Sequence, residues 1–162
     1  KKVEVKETTE VAGDDLSNKR RIELPRAGLI MYAANPVFGV GPGNYKDNSA
    51  KYNPILWDLN GPGVAHNTYL EIMAETGTIG FLLFLGILIG LIRGFNKVMN
   101  SHSGNLILFS QSLALKISLY GYSFAAIFLS AQFSKFYWLI VFVGIGIQRV
   151  AKMEEHRQTQ KL

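Results

Sequence analysis

The chain has 162 residues, a formal net charge of +5 and an apolar fraction of 48%, a size that fits one soluble domain or a few membrane helices. It contains no cysteine, which excludes disulfides and thiolate metal sites and leaves the redox compartment unread. The positive charge does not point to nucleic acid, because the late basic residues stand at the ends of apolar runs and form no stripe interleaved with aromatics.

Residues 1–26 hold seven Lys or Arg and six Asp or Glu, whereas from Gly77 onward charge is sparse and Leu, Ile, Phe and Gly dominate. The opening stretch "KKVEVKETTEVAGDDLSNKRR" lacks the apolar core of a signal peptide, so nothing in it would insert the chain into a membrane. The chain reads either as a soluble protein with hydrophobic helices or, the favoured reading, as the C-terminal piece of a longer membrane protein. The Thr, Glu, Lys and Gly content of residues 1–20 predicts a mobile loop. "ELPRAGLIMYAANP" then predicts a short helix, with Pro25 in its first turn and Asn35-Pro36 ending it. Arg20, Arg21 and Arg26 lie close together here. A guanidinium can hold phosphate or carboxylate bidentately, although the spacing alone favours a solvated basic patch offsetting Asp14, Asp15 and Glu23.

"FGVGPGNY" follows. Glycines at 39, 41 and 43 allow positive φ and close backbone approach, so successive N–H groups could converge on an anion. It is neither a P-loop nor a dinucleotide fingerprint, and spacing alone favours a plain turn. Tyr45, Tyr52 and Trp57 offer aromatic faces that could stack on sugar or simply pack. In "GPGVAHNTYLEIMAETG" the glycine-proline-glycine loop gives way to helix formers that run into the first apolar segment. His66 lies at or just before the helix start, where free N–H groups and the positive dipole end favour an anion. Leu70 and Met73 share its face, while Asn67, Glu71 and Glu75 share another. With no second histidine at ligand spacing, no metal site is expected. A lone histidine more often packs or caps than catalyses, but its place between a polar loop and a membrane helix raises its interest.

Three transmembrane helices are predicted at about 77–95, 106–131 and 133–148. The first holds sixteen uncharged residues, Gly77–Ile92, closed by Arg93, with no polar face at helical period. The second contains Lys116, which the register should place towards the preceding loop. The third is short, extended by a belt of Phe133, Lys135, Tyr137 and Trp138. Arg93 and Lys97 follow the first span and Arg149, Lys152, Arg157 and Lys161 follow the third, so the positive-inside bias puts both loops in the cytoplasm. Residues 1–76 are then an extracytoplasmic loop with short helices and the glycine-rich turn, and 149–162 a cytoplasmic tail.

"RIELPRAGLIMYAANPVFGVGPGNY" and then "AHNTYLEIMAETGTIGFLLF" together resemble the C-terminal region of the O-antigen ligase and polymerase superfamily of bacterial envelope proteins. In that pattern an arginine begins a short helix of the large outer loop, a P-x-x-G-x-G-x-G-N-[FY] turn follows, and [AS]-H-N-x-[FY]-L leads through E-x-G-x-x-G into a span. The resemblance covers about residues 21–92. Where the family commonly has Trp four residues after the arginine, this chain has Pro25, so Arg20 and Arg26 stay open beside Arg21. The resemblance implies an all-α integral membrane fold, the C-terminal fragment of a polytopic helical glycosyltransferase. It implies transfer of a glycan from an undecaprenyl diphosphate donor to lipid A-core or a growing polysaccharide, at the outer face of the bacterial inner membrane, with no metal or cofactor.

Carried over residue by residue, Arg21 would grip the donor diphosphate, and His66 would activate the acceptor hydroxyl or hydrogen-bond the leaving group. Arg26, Gly39, Gly41, Gly43, Asn44, Tyr45 and Asn67 would bind substrate. A fixed guanidinium stabilises a leaving diphosphate more in the transition state than in the ground state, and a histidine exchanges protons near neutral pH. Membrane lipid and the upstream transmembrane helices of the same protein are the other implied partners, without which the fragment is expected to be inactive. The alternatives are a polymerase of the same superfamily, a non-catalytic subunit that binds or transports lipid-linked glycan, and a structural membrane anchor.

Overall fold

A computed structural model describes residues 2–160. Six helices follow one another: α1 Lys2–Ala34, α2 Tyr45–Tyr52, α3 Ile55–Asp58, α4 Thr68–Ser101, α5 Leu106–Ala125 and α6 Lys135–Thr159. Among the described residues there is no strand. The chain forms two compact units, one running to Phe81 and including Phe128–Ser130, the other comprising Leu82–Ile127 and the residues from Ala131 on.

In the first unit the expected short helix is the end of a much longer one. Because α1 begins at Lys2, Pro25 sits inside it and not in a first turn, and residues 2–20 are helical where a loop was expected. Proline has no N–H to donate, so the carbonyl of Arg21, four residues earlier, lacks its usual helical partner. Leu24, Ala27 and Met31 recur at helical spacing and are buried. They form a core with Tyr45, Ala50, Leu56, Ala65 and Ala74, which fixes α2, α3 and the start of α4 against α1. Asn67 caps α4, its side-chain oxygen accepting from the Leu70 N–H at 3.0 Å.

The helix is interrupted at Gly77, whose φ of 66° and ψ of −166° are not helical. An unbroken helix would send the N–H groups of residues 78 and 79 to the carbonyls of 74 and 75. Instead Thr78 donates to the Pro36 carbonyl at 2.8 Å and Ile79 to that of Val37 at 3.5 Å, while the freed carbonyls of Ala74 and Glu75 accept from Val40 at 3.0 Å and Gly41 at 2.9 Å. The glycine-rich turn thus replaces one turn of α4's own hydrogen bonding, and every displaced main-chain group finds a partner.

In the second unit Phe84, Leu88, Leu91, Phe95 and Val98 form a buried stripe on α4, while Leu82, Leu83, Ile87 and Ile89 are exposed on its other sides. Apolar side chains all round a helix suit a lipid environment. Small residues bring α4 and α6 together: a Cβ at Gly144 would lie 2.7 Å from the Phe95 ring, and Gly94 abuts the Gln148 side chain, whose Nε2 donates to the Leu91 carbonyl at 3.0 Å. Tyr137 is buried, stacked on Tyr122 at 5.0 Å between ring centres. Lys116 donates to Asn96 Oδ1 at 2.7 Å and lies 5.9 Å from the Tyr120 ring centre, so its charge is partnered within the unit.

Among the described residues two helices, α4 and α6, are long and apolar enough to cross a membrane, where the sequence suggested three. α5 dilutes its leucines with Gln111, Lys116 and four serines and stops at Ala125, short of the expected 131. α6 runs past the expected 148 as one helix to Thr159.

Candidate functional site

The three neighbouring arginines have different surroundings. Arg20 reaches across to the loop after α3: Nη1 donates to the carbonyls of Leu59 and Gly61, the latter at 2.8 Å, and Nη2 to that of Pro62 at 3.0 Å. Gly63 makes room for this, since a Cβ there would stand 2.6 Å from Arg20 Nη2. Arg26, itself exposed, pairs at 3.5 Å with the mostly covered Glu23, whose carboxylate also accepts from Asn53 Nδ2 at 2.7 Å. Arg21 is exposed and has no hydrogen bond or ion pair to any described residue. Arg20 is therefore a brace and Arg21 a free cation beside it. Arg20→Ala removes charge-assisted bonds to three carbonyls, each worth about 1.5–3 kcal/mol. A lower midpoint of thermal unfolding, followed by Trp57 fluorescence, is the expected result, and an unchanged midpoint would contradict the bracing role.

The loop held by Arg20 leads to His66. Leu24 packs against Gly63, and Ala65 lies in the same core as Leu24 and Ala27, so the turn of α1 that carries Arg21 and the approach to His66 are parts of one packed structure. His66 is exposed, with no hydrogen bond or ion pair to a described residue, and its φ is 53°. Left-handed backbone at a residue with a Cβ is uncommon and costs energy, and such strain gathers at functional positions. Neither side of the peptide is free to relax it. Ala65 donates its N–H to Glu71 Oε1 at 2.7 Å, and Asn67 is committed to capping α4.

The glycine turn binds an anion, but an internal one. The Tyr45 N–H donates to Glu75 Oε1 at 2.9 Å, and burial pushes the Glu75 carboxyl above its ordinary range while the Gly43 and Tyr45 main chain works against that rise. Gly39 and Gly41, both at positive φ, let the turn lie flat on α4, where a Cβ at Gly39 would come within 2.3 Å of the Glu75 main chain. The expectation that these amides approach a phosphate therefore does not fit: Val40, Gly41, Gly43 and Tyr45 already serve α4. Tyr45, expected to contact sugar, is buried, and its hydroxyl donates to the Leu24 carbonyl at 2.6 Å. Burial, with the Glu71 carboxylate nearby, pushes that hydroxyl far above the ordinary tyrosine range, so it stays a donor. Asn44 is exposed, its main-chain carbonyl accepting from Asn48 Nδ2 at 2.8 Å. Trp57 is exposed as well.

Two residues with a large part in the site were not singled out from the sequence. Glu71 and Glu75 are both buried, and a buried carboxylate needs hydrogen bonds. Glu71 receives the Ala65 N–H and the Ser130 hydroxyl, and beside it the Thr68 hydroxyl donates to the Leu129 carbonyl. Leu129 and Ser130 are thereby fastened to the first turn of α4, which His66 precedes. The signals for this in the sequence are the i, i+4 spacing of the two glutamates and the place of Glu75 at the head of the E-x-G-x-x-G pattern. Among the described residues no group of three or more His, Asp or Glu could hold a metal ion.

An arginine-bearing helix, a glycine turn spliced to E-T-G and a histidine entering an apolar helix thus form one structure. The family model described as O-antigen ligase matches residues 2–85, more than half of the chain. The chain belongs to the O-antigen ligase family. No curated protein and no solved structure matches it. Membership in the O-antigen ligase family, with two helices able to span a bilayer, makes this a membrane protein with an O-antigen ligase- or polymerase-like role in cell-surface polysaccharide synthesis, and an enzyme at that level of description.

Proposed function

We propose that this O-antigen ligase family chain carries the catalytic part of a glycosyltransferase that moves a glycan from an undecaprenyl diphosphate donor to a hydroxyl of lipid A-core or of a growing polysaccharide. The reaction takes place outside the inner membrane. Arg21 holds the diphosphate and His66 accepts the proton of the attacking hydroxyl or supports the leaving group, and the chemistry needs no metal. The observation that carries this reading is that Arg21 and His66 are both exposed and unpartnered among the described residues, while their neighbours Arg20 and Asn67 are committed to bracing the loop after α3 and capping α4.

The chemistry follows from where charge develops. As the glycosidic bond to phosphate breaks, the diphosphate gains negative charge, and an arginine with no competing partner among the described residues can pair with it bidentately. The acceptor oxygen becomes nucleophilic as its proton moves to an imidazole nitrogen within hydrogen-bond reach. A donor whose tail remains in lipid presents its diphosphate at the headgroup layer, which suits a site whose histidine lies at the entrance to an apolar helix. The test is complementation of a strain lacking the full-length parent. Arg21→Ala and His66→Ala are expected to reach the membrane yet leave the surface glycan absent on a gel. Full restoration by both variants would overturn the assignment.

A further inference from the structure

Within the second unit a cavity lies where α4 ends and α6 becomes polar. It measures about 190 Å³ and is lined by Gly94, Lys97, His102, Gln148, Lys152 and Glu155, with Val98 and Ala151 as its apolar wall. At about 30 Å³ per water it has room for roughly six, and so for a phosphate group. Two lysines and a histidine face one acidic residue, Glu155, which already has an interaction partner. His102 is buried, and its Nδ1 has no hydrogen-bond partner among the described residues. A buried imidazole nitrogen left in this way is unfavourable, and an acceptor oxygen brought into the cavity, directly or through a water, would relieve it.

The position of the cavity narrows its occupant. Lys97 is in the last turns of α4, His102 follows that helix directly, and Lys152 lies beyond the apolar part of α6. A phosphate bound there would sit where both apolar helices become polar, the depth of a lipid headgroup. Basic pockets between helices at such a level select anionic phospholipids. We propose that this cavity binds the phosphodiester of an anionic membrane phospholipid, with Lys97 and Lys152 as the charge partners and His102 as a hydrogen-bond donor. The inference rests on α4 and α6 spanning the bilayer and is independent of the glycan chemistry assigned to Arg21 and His66.

The test is native mass spectrometry of the full chain released from mixed micelles containing phosphatidylglycerol and phosphatidylcholine. Wild type is expected to retain phosphatidylglycerol preferentially. At about 1 kcal/mol per lysine, a Lys97→Gln/Lys152→Gln variant should bind it on the order of ten- to thirty-fold more weakly. Lys97→Arg/Lys152→Arg should keep the preference, which separates charge from a folding defect. Arg93→Gln/Arg149→Gln, which removes nearby exposed charges outside the cavity, should also keep it. Equal retention of the two lipids by wild type, or an equal loss in the Arg93/Arg149 variant, would overturn the proposal. Displacement of phosphatidylglycerol by millimolar inorganic phosphate would overturn the lipid as occupant in favour of the free ion.

Discussion

Gly77→Ala is expected to leave little folded protein. At a φ of 66° and ψ of −166° the backbone lies in a region used almost only by glycine, at a cost of about 1–3 kcal/mol for any other residue. The added Cβ would also stand 2.3 Å from the Val37 carbonyl oxygen and 2.4 Å from its carbon. Both are main-chain atoms, held by the exchange of hydrogen bonds between residues 36–41 and 74–79, so neither can swing aside as a side chain would. Separating the two segments would release several bonds worth about 1 kcal/mol each. The sum, roughly 4 kcal/mol or more, is a large part of a typical domain stability of about 5–15 kcal/mol. Gly39→Ala meets the same joint from the other side, with a Cβ 2.3 Å from the Glu75 carbonyl carbon. The two substitutions should therefore be strongly non-additive. Limited proteolysis of the detergent-solubilised protein measures this directly. Gly86, with nothing within 4 Å of a Cβ, is the control, and a Gly77→Ala protein as resistant as Gly86→Ala would refute the account.

Arg21→Ala is expected to slow glycan transfer by roughly 10²–10³-fold, the usual effect of removing one fixed group that stabilises developing charge. Because Arg21 is exposed and has no partner among the described residues, its loss should leave the unfolding midpoint unchanged, in contrast to Arg20→Ala. Arg21→Lys should recover part of the rate, since a lysine supplies the charge without the planar fork. His66→Ala should cost about 10²–10⁴-fold, the range for general acid–base groups. Arg26→Ala removes a half-exposed pair with Glu23, which keeps its bond from Asn53, and should change the rate by no more than a few-fold. Turnover of a defined lipid-linked glycan by the full-length protein in reconstituted membranes gives these ratios. Equal rates for Arg20→Ala and Arg21→Ala, at equal amounts of folded protein, would contradict the separation of brace from ligand.

The apolar helices were legible because an all-apolar run has few other readings, and the family resemblance was legible because several short motifs occur in a fixed order. Other features depended on partners far away in the chain. The glycine turn announces a nest for an anion, yet the anion is Glu75, thirty residues from Tyr45, and no local rule says that the ligand is the protein itself. Pro25 reads locally as a first turn, because the polar residues before it show no helical period by which a longer α1 could be recognised. Arg20, Arg21 and Arg26 look alike in sequence and differ in their surroundings, since the loop of residues 59–62 takes up Arg20 while Arg26 pairs with Glu23 on its own helix. For Tyr45 the sequence leaves sugar face and core both open, because an aromatic next to glycines suits either, and its burial against the small Gly28 favours the core.

The splice between the glycine turn and α4 bears on how such chains can be recombined. Its two halves recognise each other through main-chain atoms, missing Cβ atoms and the Glu75 carboxylate, so an exposed side chain such as that of Pro42 can drift while the geometry persists. Residues 36–79 therefore behave as one heritable block. A crossover that takes the turn from one parent and the E-T-G segment from another joins surfaces never shaped to each other, whereas one that moves the block entire carries its own fit with it.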